Sequence, residues 1–247
     1  MISLMIADLR RILNKRSFQI VLGLAAALAL AFVIMDRMNF WNGFVFAVNR
    51  INSLESTIPL IMGLALFIGI YADEFQSKAL QAAIGRGLPR RRLILVKIID
   101  CTVLTAGIFF CFFVFFVLLG FILGAHMTPE DLKILALSTV SGAYIVILCT
   151  PLAAVLLYAT DNTALSVFAE LILVAIIPFV LQLFGRVLLI YDFHLDTFYI
   201  TGFANVFFSE MMLSGGGLLR LLAGAVLYLG LAYLLSWLAF RKKELDL

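Results

Sequence analysis

The chain has 247 residues, of which 64% are hydrophobic and 13% are charged, and its formal net charge is +3. Soluble domains carry about a quarter charged residues, so this composition indicates an integral membrane protein and excludes an ordinary soluble domain. The small positive charge does not imply a nucleic-acid partner. Since no polar stretch is long enough for a separate soluble core, we expect one membrane domain over residues 1–247.

The first sixteen residues, MISLMIADLRRILNKR, place apolar side chains at helical spacing and charged side chains elsewhere around the helix. This pattern predicts an amphipathic helix over residues 1–16 that lies along the inner leaflet. Two roles fit it: an elbow that couples to a partner or to the first span, or a plain membrane anchor.

Six apolar segments follow, each near the length of about 20 residues that a helix needs to cross about 30 Å of hydrocarbon. They are residues 17–35, 56–72, 101–125, 134–160, 162–184 and 221–240. Their apolar runs are continuous, which favours helices over the alternating strands of a barrel. The predicted fold is therefore an all-α polytopic membrane protein with six transmembrane helices.

Most of the 18 Lys and Arg residues fall on the side of the membrane that holds the N-terminus. Because cytoplasmic segments are enriched in Lys and Arg, both termini are predicted to be cytoplasmic. The basic residues assigned to the outer side are Arg37, Arg50, Lys133, Arg186 and Arg220.

The connection over residues 185–219 is longer than a hairpin needs and is rich in aromatic residues. Aromatic side chains settle at the level of the lipid headgroups. We therefore expect short helices that dip into the outer leaflet between spans 5 and 6, rather than a solvated loop.

Two acidic residues and two prolines fall within or beside the apolar segments. An acid at this depth is costly, so Glu170 is predicted to face a translocation path, a polar cavity or a subunit interface, or to reach water near the inner leaflet. Asp100 is expected to pair with Lys97 on the helix surface. Pro151 and Pro178 are expected to kink their helices.

The sequence contains no convincing catalytic, cofactor or metal-ligand motif. Its two histidines, His126 and His194, are not in an H-E-x-x-H arrangement. A G-x-x-x-x-G-K-[ST] phosphate-binding loop is also absent from the sequence, so this chain is not expected to hydrolyse ATP by itself. We predict no catalytic residue and no cofactor bound by this chain.

Residues 71–100, YADEFQSKALQAAIGRGLPRRRLILVKIID, form the one long polar and basic interruption between apolar runs. Good helix formers follow Asp73 and predict a short helix with an apolar side. Gly85 and Gly87 are placed to end that helix, and Pro89 is placed to open the next one. An alternative interpretation is an ordinary positive-inside loop that only sets topology.

This segment resembles the permease subunits of ABC-2-type ATP-binding-cassette exporters, in particular the compact bacterial group associated with bacitracin, lantibiotic and other peptide resistance or export. The residues that carry the resemblance are Glu74, the helix over residues 77–84, the turn GRGLPRR, and Lys97. Pro89 and the run Arg90 to Arg92 depart from it, where a small hydroxyl residue and one arginine are expected.

The resemblance implies that residues 73–92 are a coupling region that docks on a separate ATPase dimer, which would bind ATP and magnesium. A second permease chain, identical or different, would complete a path for hydrophobic or amphipathic peptides or drugs in the bacterial cytoplasmic membrane. The alternatives are a non-transporting sensor or assembly subunit and an intramembrane enzyme. The implied coupling residues are Glu74, Phe75, Lys78, Leu80, Ile84, Arg86, Arg90 and Lys97.

Overall fold

The structure is a computed structural model that describes residues 2–37, 43–76, 85, 89–187, 199–213 and 217–241, and these contain helices and no strand. The α-helices are α1 (Ile2–Leu13), α2 (Arg16–Arg37), α3 (Gly43–Asn52), α4 (Ile58–Phe67), α5 (Asp73–Gln76), α6 (Arg90–Ile122), α7 (Pro129–Thr160), α8 (Thr163–Leu171), α9 (Ile177–Val187), α10 (Ile200–Leu213) and α11 (Leu218–Arg241). In this described part of the chain, three π-helical segments join some of them: π1 (Ser53–Thr57), π2 (Ile68–Ala72) and π3 (Ile172–Ile176).

Within the described residues, six helical stretches are long and apolar enough to cross a membrane, which confirms the predicted all-α fold with six candidate spans. They are span 1 (Arg16–Ile34), span 2 (Phe44–Phe75), span 3 (Arg90–Ile122), span 4 (Pro129–Thr160), span 5 (Thr163–Phe184) and span 6 (Leu218–Arg241).

Spans 2 and 3 begin well before their predicted starts at residues 56 and 101. Span 2 begins at Phe44 and takes in Arg50, which was predicted to lie in an outer loop. The Arg50 side chain is buried, and its guanidinium stacks on the rings of Phe46 and Phe116. Aromatic faces attract cations, so a partner from span 3 lets this charged residue enter the helix bundle.

Span 3 starts directly after Pro89, whose extended backbone (φ −68°, ψ 133°) precedes the first helical turn. This confirms that Pro89 opens the helix. Segment 90–97, which holds four basic residues, therefore belongs to the span 3 helix. This explains why the N-terminal end of span 3 extends beyond the start of the apolar run. At its other end the helix stops at Ile122, and Gly124 (φ 81°) adopts the left-handed conformation that glycine tolerates.

Short capped turns connect spans 3, 4 and 5. The Thr128 hydroxyl accepts a hydrogen bond from the Asp131 backbone N–H at 3.3 Å, and the Asp131 carboxylate accepts one from the Thr128 N–H at 2.8 Å. After span 4, Asp161 takes a left-handed conformation, and the Asn162 side chain caps span 5 by accepting from the Leu165 N–H. These caps satisfy backbone groups that helix ends leave without partners.

Span 4 lies at the centre of the bundle and contacts spans 2, 3, 5 and 6 as well as α10. Spans 2 and 4 are mostly buried, whereas spans 1, 5 and 6 expose many large apolar side chains. This distribution suits helices whose outer faces contact lipid.

Two prolines follow π-helical segments. Pro59 comes two residues after π1, and Pro178 comes two residues after π3. Proline lacks an N–H, and its ring clashes with the carbonyl four residues earlier in an α-helix. A wider π-helical turn before the proline relieves this clash. By contrast, α7 continues through Pro151. Span 5 thus leaves regular α-helix just before Pro178, while the α-helix is uninterrupted at Pro151, and the two kinks stay predictions.

The connection between spans 5 and 6 contains one described helix, α10, which packs on span 4 and span 6. Its residues Ile200, Ala204 and Phe207 are buried against them. A helix was predicted here, and residues 188–198 of the connection lie outside the described part of the chain.

The bundle has two ends, which we name the α1 end and the far end. The α1 end holds α1, the C-terminal ends of spans 2, 4 and 6, and the N-terminal ends of spans 3 and 5. The far end holds the opposite ends of these spans. Contacts across the α1 end include Arg90 of span 3 with Phe240 of span 6, and at the far end Gly120 of span 3 lies against Phe46 of span 2.

Candidate functional site

Lys97 is the centre of a buried group of charges at the α1 end. Its Nζ donates to Glu74 Oε1 of span 2 at 2.5 Å and to Asp8 Oδ2 of α1 at 2.7 Å. The side chains of Lys97 and Glu74 are only 4% and 6% exposed. Arg11 of α1 donates to the same Glu74 oxygen. We call Asp8, Arg11, Glu74 and Lys97 the ion cluster.

A second ion pair lies beside the ion cluster, and one of its two residues also belongs to the N-terminal region. Lys15, which follows α1, pairs with Asp73 of span 2. Both partners are partly exposed, so this pair is screened by solvent more than the Lys97 contacts are. The ends of spans 2 and 3 are thus joined to the N-terminal segment through three of its charged residues.

These contacts revise the expected placement of the N-terminal helix. Instead of presenting its polar side only to water and headgroups, α1 directs Asp8 and Arg11 at spans 2 and 3, while Ile12 is buried in the hydrophobic core. The predicted elbow couples to a partner or to the first span, whereas the charged residues of α1 contact spans 2 and 3. The elbow and the plain surface anchor both stay predictions. The helix itself, predicted over residues 1–16, is observed over Ile2–Leu13.

Asp100 lies one turn beyond Lys97 on span 3 and is fully buried. It is near enough to Lys97, Asp8 and Glu74 to interact with them electrostatically. The expected pair on an exposed helix surface is therefore wrong, because α1 and span 2 cover this part of span 3. Lys97 instead directs its hydrogen bonds to Asp8 and Glu74.

Aromatic rings continue the packing of the α1 end. Tyr158 of span 4 contacts Phe75 and Phe240 edge-on or tilted, with ring centroids 5.4 Å and 5.2 Å away. Arg90 donates to the Phe240 carbonyl at 2.6 Å and stacks on that ring, and Arg91 stacks on Trp237. Spans 2, 3, 4 and 6 therefore meet at one aromatic group.

The structure brings four of the predicted coupling residues to this end of the bundle: Glu74, Phe75, Arg90 and Lys97. All four make contacts within the chain, so their side chains hold the spans together there. Lys78, Leu80, Ile84 and Arg86 lie outside the described residues. The described geometry of Arg90 to Arg92 does not identify which of them corresponds to the single arginine that the resemblance implies.

Glu170 of span 5 is completely buried between spans 2, 4 and 5. Its Oε1 accepts a hydrogen bond from the Thr150 hydroxyl of span 4 at 2.8 Å, while Oε2 has no hydrogen-bond partner among the described residues. A Cβ added to Gly63 of span 2 would lie 2.6 Å from Oε1. The carboxyl therefore occupies the space that the absent Gly63 side chain leaves, in the interior of the chain rather than near water.

Tyr199, just before α10, ties the connection to span 5. Its hydroxyl donates to the carbonyl of Leu173 in π3 at 2.5 Å. Burial, and to a lesser degree nearby acidic groups, raises the pKa of this phenol above its ordinary value, so it stays protonated and able to donate. Sequence reasoning placed Tyr199 at the headgroup level and missed this contact.

Within the described residues, no group of three or more His, Cys, Asp and Glu side chains is arranged to hold a metal ion. The described geometry is thus one of buried ion pairs and hydrogen bonds that join helices. No protein-family model matches the chain, and a search of curated proteins finds no match for it.

Proposed function

We propose that this chain is the transmembrane subunit of an ABC-2-type exporter, powered by a separate ATPase. The observation that carries the proposal is the ion cluster, in which Glu74 and Lys97 bind each other and α1. These two residues bracket the segment that resembles a coupling region. A force applied between them would act on spans 2 and 3 together.

The physical basis is the stiffness of a buried charge network. Separating Lys97 from Glu74 would leave charges in a poorly solvated site, at a cost of several kcal/mol. Such a contact holds its partners together while the rest of the bundle rearranges. Docking of an ATPase on residues 77–88 would therefore displace α1, span 2 and span 3 as one unit.

The proposed cargo is a hydrophobic or amphipathic peptide or drug, and two permease chains would enclose its path. Spans 1, 5 and 6 expose large apolar side chains that are suited to lipid or to a second chain. We place both termini on the cytoplasmic side of a bacterial cytoplasmic membrane, from the distribution of Lys and Arg. ATP and magnesium would be bound by the ATPase subunit.

The first test is whether a reading frame adjacent to that of this chain encodes a P-loop ATPase, and its absence would count against the proposal. The second test is assembly of this chain with that ATPase. Substitutions of Glu74 or Arg90 would be ambiguous, because both residues make contacts within the chain. A loss of assembly could then result from misfolding rather than from lost docking. We therefore choose Lys78→Glu with Arg86→Glu, and use Lys133→Glu as the matched control. Lys133 is exposed on span 4 at the far end.

The double variant is expected to lose co-purification with the ATPase and stimulation of its ATP hydrolysis, whereas Lys133→Glu retains both. Equal assembly of all three proteins would refute docking on residues 77–88. Full assembly and ATP hydrolysis without movement of peptide into inverted vesicles would instead favour the non-transporting sensor or assembly subunit.

A further inference from the structure

A cavity of about 490 Å³ lies between spans 2, 4 and 5 and α10, toward the far end of the bundle. Its apolar wall includes Ile145, Val174 and Phe179. Its polar wall includes Glu55 and the side-chain amides of Gln182 and Asn205. Apolar walls with a few polar groups, at a volume of about 300–1,000 Å³, are typical of small-molecule sites.

Glu55 gives this cavity an unbalanced charge. Of the described lining residues, it is the one charged side chain. Its Oε1 is buried and has no hydrogen-bond partner among the described residues. The closest basic residue in sequence, Arg50, stacks on Phe46 and Phe116 on the side that faces span 3. Because a buried carboxylate is stabilised by a cation, the cavity is electrostatically suited to receive one.

The walls of the cavity are also the places where spans 2 and 5 leave regular α-helix. Glu55 belongs to π1, and Val174 belongs to π3. In an α-helix their carbonyls would accept hydrogen bonds from residues 59 and 178, and both of these are proline. Single-turn π segments occur frequently at functional sites, and here two of them face one cavity. The third, π2, does not line it.

We propose that this cavity binds an organic cation with an apolar body. An ammonium or guanidinium group pairs with Glu55, and the body packs on Ile145, Val174 and Phe179. Gln182 and Asn205 supply hydrogen bonds at the mouth. This deepens the proposed function, on which it rests for the assignment of the bound cation as cargo.

An inorganic cation fits the cavity less well. A bare calcium ion requires six to eight oxygen ligands at about 2.3–2.6 Å, usually with several carboxylates. One carboxylate in a space of about 490 Å³ does not supply that shell. The apolar wall would also have no role in binding an inorganic ion, whereas it accounts for the body of an organic one.

The binding experiment uses the full chain in nanodiscs of zwitterionic lipid without any ATPase. The probe is dansylcadaverine, a fluorophore with a primary ammonium, and its N-acetyl derivative is the neutral match. Empty nanodiscs supply the partition background. Glu55→Gln removes the charge at constant shape, and Glu130→Gln removes an exposed charge from the far end of span 4 as control.

We expect Glu55→Gln to weaken binding of the ammonium probe about tenfold or more, because the variant loses a hydrogen bond between two charged groups. Binding by Glu130→Gln should equal that of the parent chain. The acetylated probe should bind weakly, with the same affinity for the parent chain and Glu55→Gln. Ala175→Phe adds a ring to the cavity wall without altering its charge and should also weaken binding.

Equal affinity of the parent chain and Glu55→Gln for the ammonium probe would overturn the proposal, as would unchanged binding by Ala175→Phe. Displacement of the probe by calcium chloride, with the parent chain but not with Glu55→Gln, would overturn it in favour of an inorganic cation site. Since no ATPase takes part, failure here leaves the docking test at Lys78 and Arg86 unaffected. Failure of docking likewise leaves the binding result standing.

Discussion

Replacing Lys97 with methionine keeps a long unbranched side chain and removes its charge from the ion cluster. Lys97 makes hydrogen bonds to Asp8 and Glu74, and the Lys97 and Glu74 side chains are almost wholly buried. Breaking a buried pair by removing one partner costs about 3–5 kcal/mol, because the other charge stays behind without compensation. Lys97→Met should therefore lower the free energy of unfolding by about that amount.

Two comparisons separate this effect from the general loss of a positive charge. Arg92→Met removes an exposed charge from the same helix and should change stability by about 0.5 kcal/mol or less. Arg11→Met removes the other cation that contacts Glu74, but Arg11 is 44% exposed, so its loss should cost about 1 kcal/mol or less. The expected order of destabilisation is Lys97→Met, then Arg11→Met, then Arg92→Met.

The measurement is reversible unfolding in mixed micelles with an increasing fraction of SDS, followed by circular dichroism. The double variant Glu74→Gln with Lys97→Met should be less destabilised than the sum of the two single variants, because it removes the buried anion as well as the cation. If Lys97→Met unfolds at the same SDS fraction as Arg92→Met, the buried ion cluster does not stabilise this fold and the reasoning fails.

Two further predictions concern spans 2 and 4. Gly63→Ala should be about 1–3 kcal/mol less stable in the same assay than Gly107→Ala, since its Cβ would displace the Glu170 carboxyl from its hydroxyl donor, whereas nothing lies within 4 Å of a Cβ at Gly107. Equal stability of the two glycine variants would contradict this. Thr128→Ala removes a helix cap and should cost about 1 kcal/mol. The control is Thr163→Ala at the start of span 5, where the cap is the Asn162 side chain rather than the threonine hydroxyl, and equal losses would argue against the capping role of Thr128.

The sequence predicts the number and helical nature of the spans because apolar length is a local property. It places the starts of spans 2 and 3 about three turns too late, at residues 56 and 101 rather than Phe44 and Arg90, because charged residues enter the bundle in both places. Arg50 lowers the local hydropathy, yet it is buried because Phe116, distant in sequence, covers it. Lys97 is a charged residue beside an apolar run, so the sequence alone places it at the membrane edge. In the structure, partners from α1 and span 2 bury its side chain. Such tertiary partners carry no local signal.

The contacts of the candidate sites also depend on residues that are distant in sequence. Glu170 is conspicuous as an acid in an apolar run, but its contact with Thr150 and its position beside Gly63 depend on how three helices pack. Glu55 was not selected from the sequence, although a usable signal was present. It stands four residues before Pro59, as Val174 stands four residues before Pro178, so both helices carry the same defect at the same distance from a proline.

Three carboxyl groups lie on or against span 2, and they differ in their partners: Glu55 and Glu74 belong to this span, and Glu170 of span 5 lies against its Gly63. Glu74 at the α1 end has two cations, and Glu170 beside Gly63 has one hydroxyl donor. Glu55, about 28 Å from Glu74 along the helix, has neither for its buried Oε1 among the described residues. The charge of Glu74 is paired within the chain and serves stability, whereas Glu55 borders a cavity that has room for a ligand. Substitutions at Glu74 should therefore mainly change folding, and substitutions at Glu55 should mainly change binding.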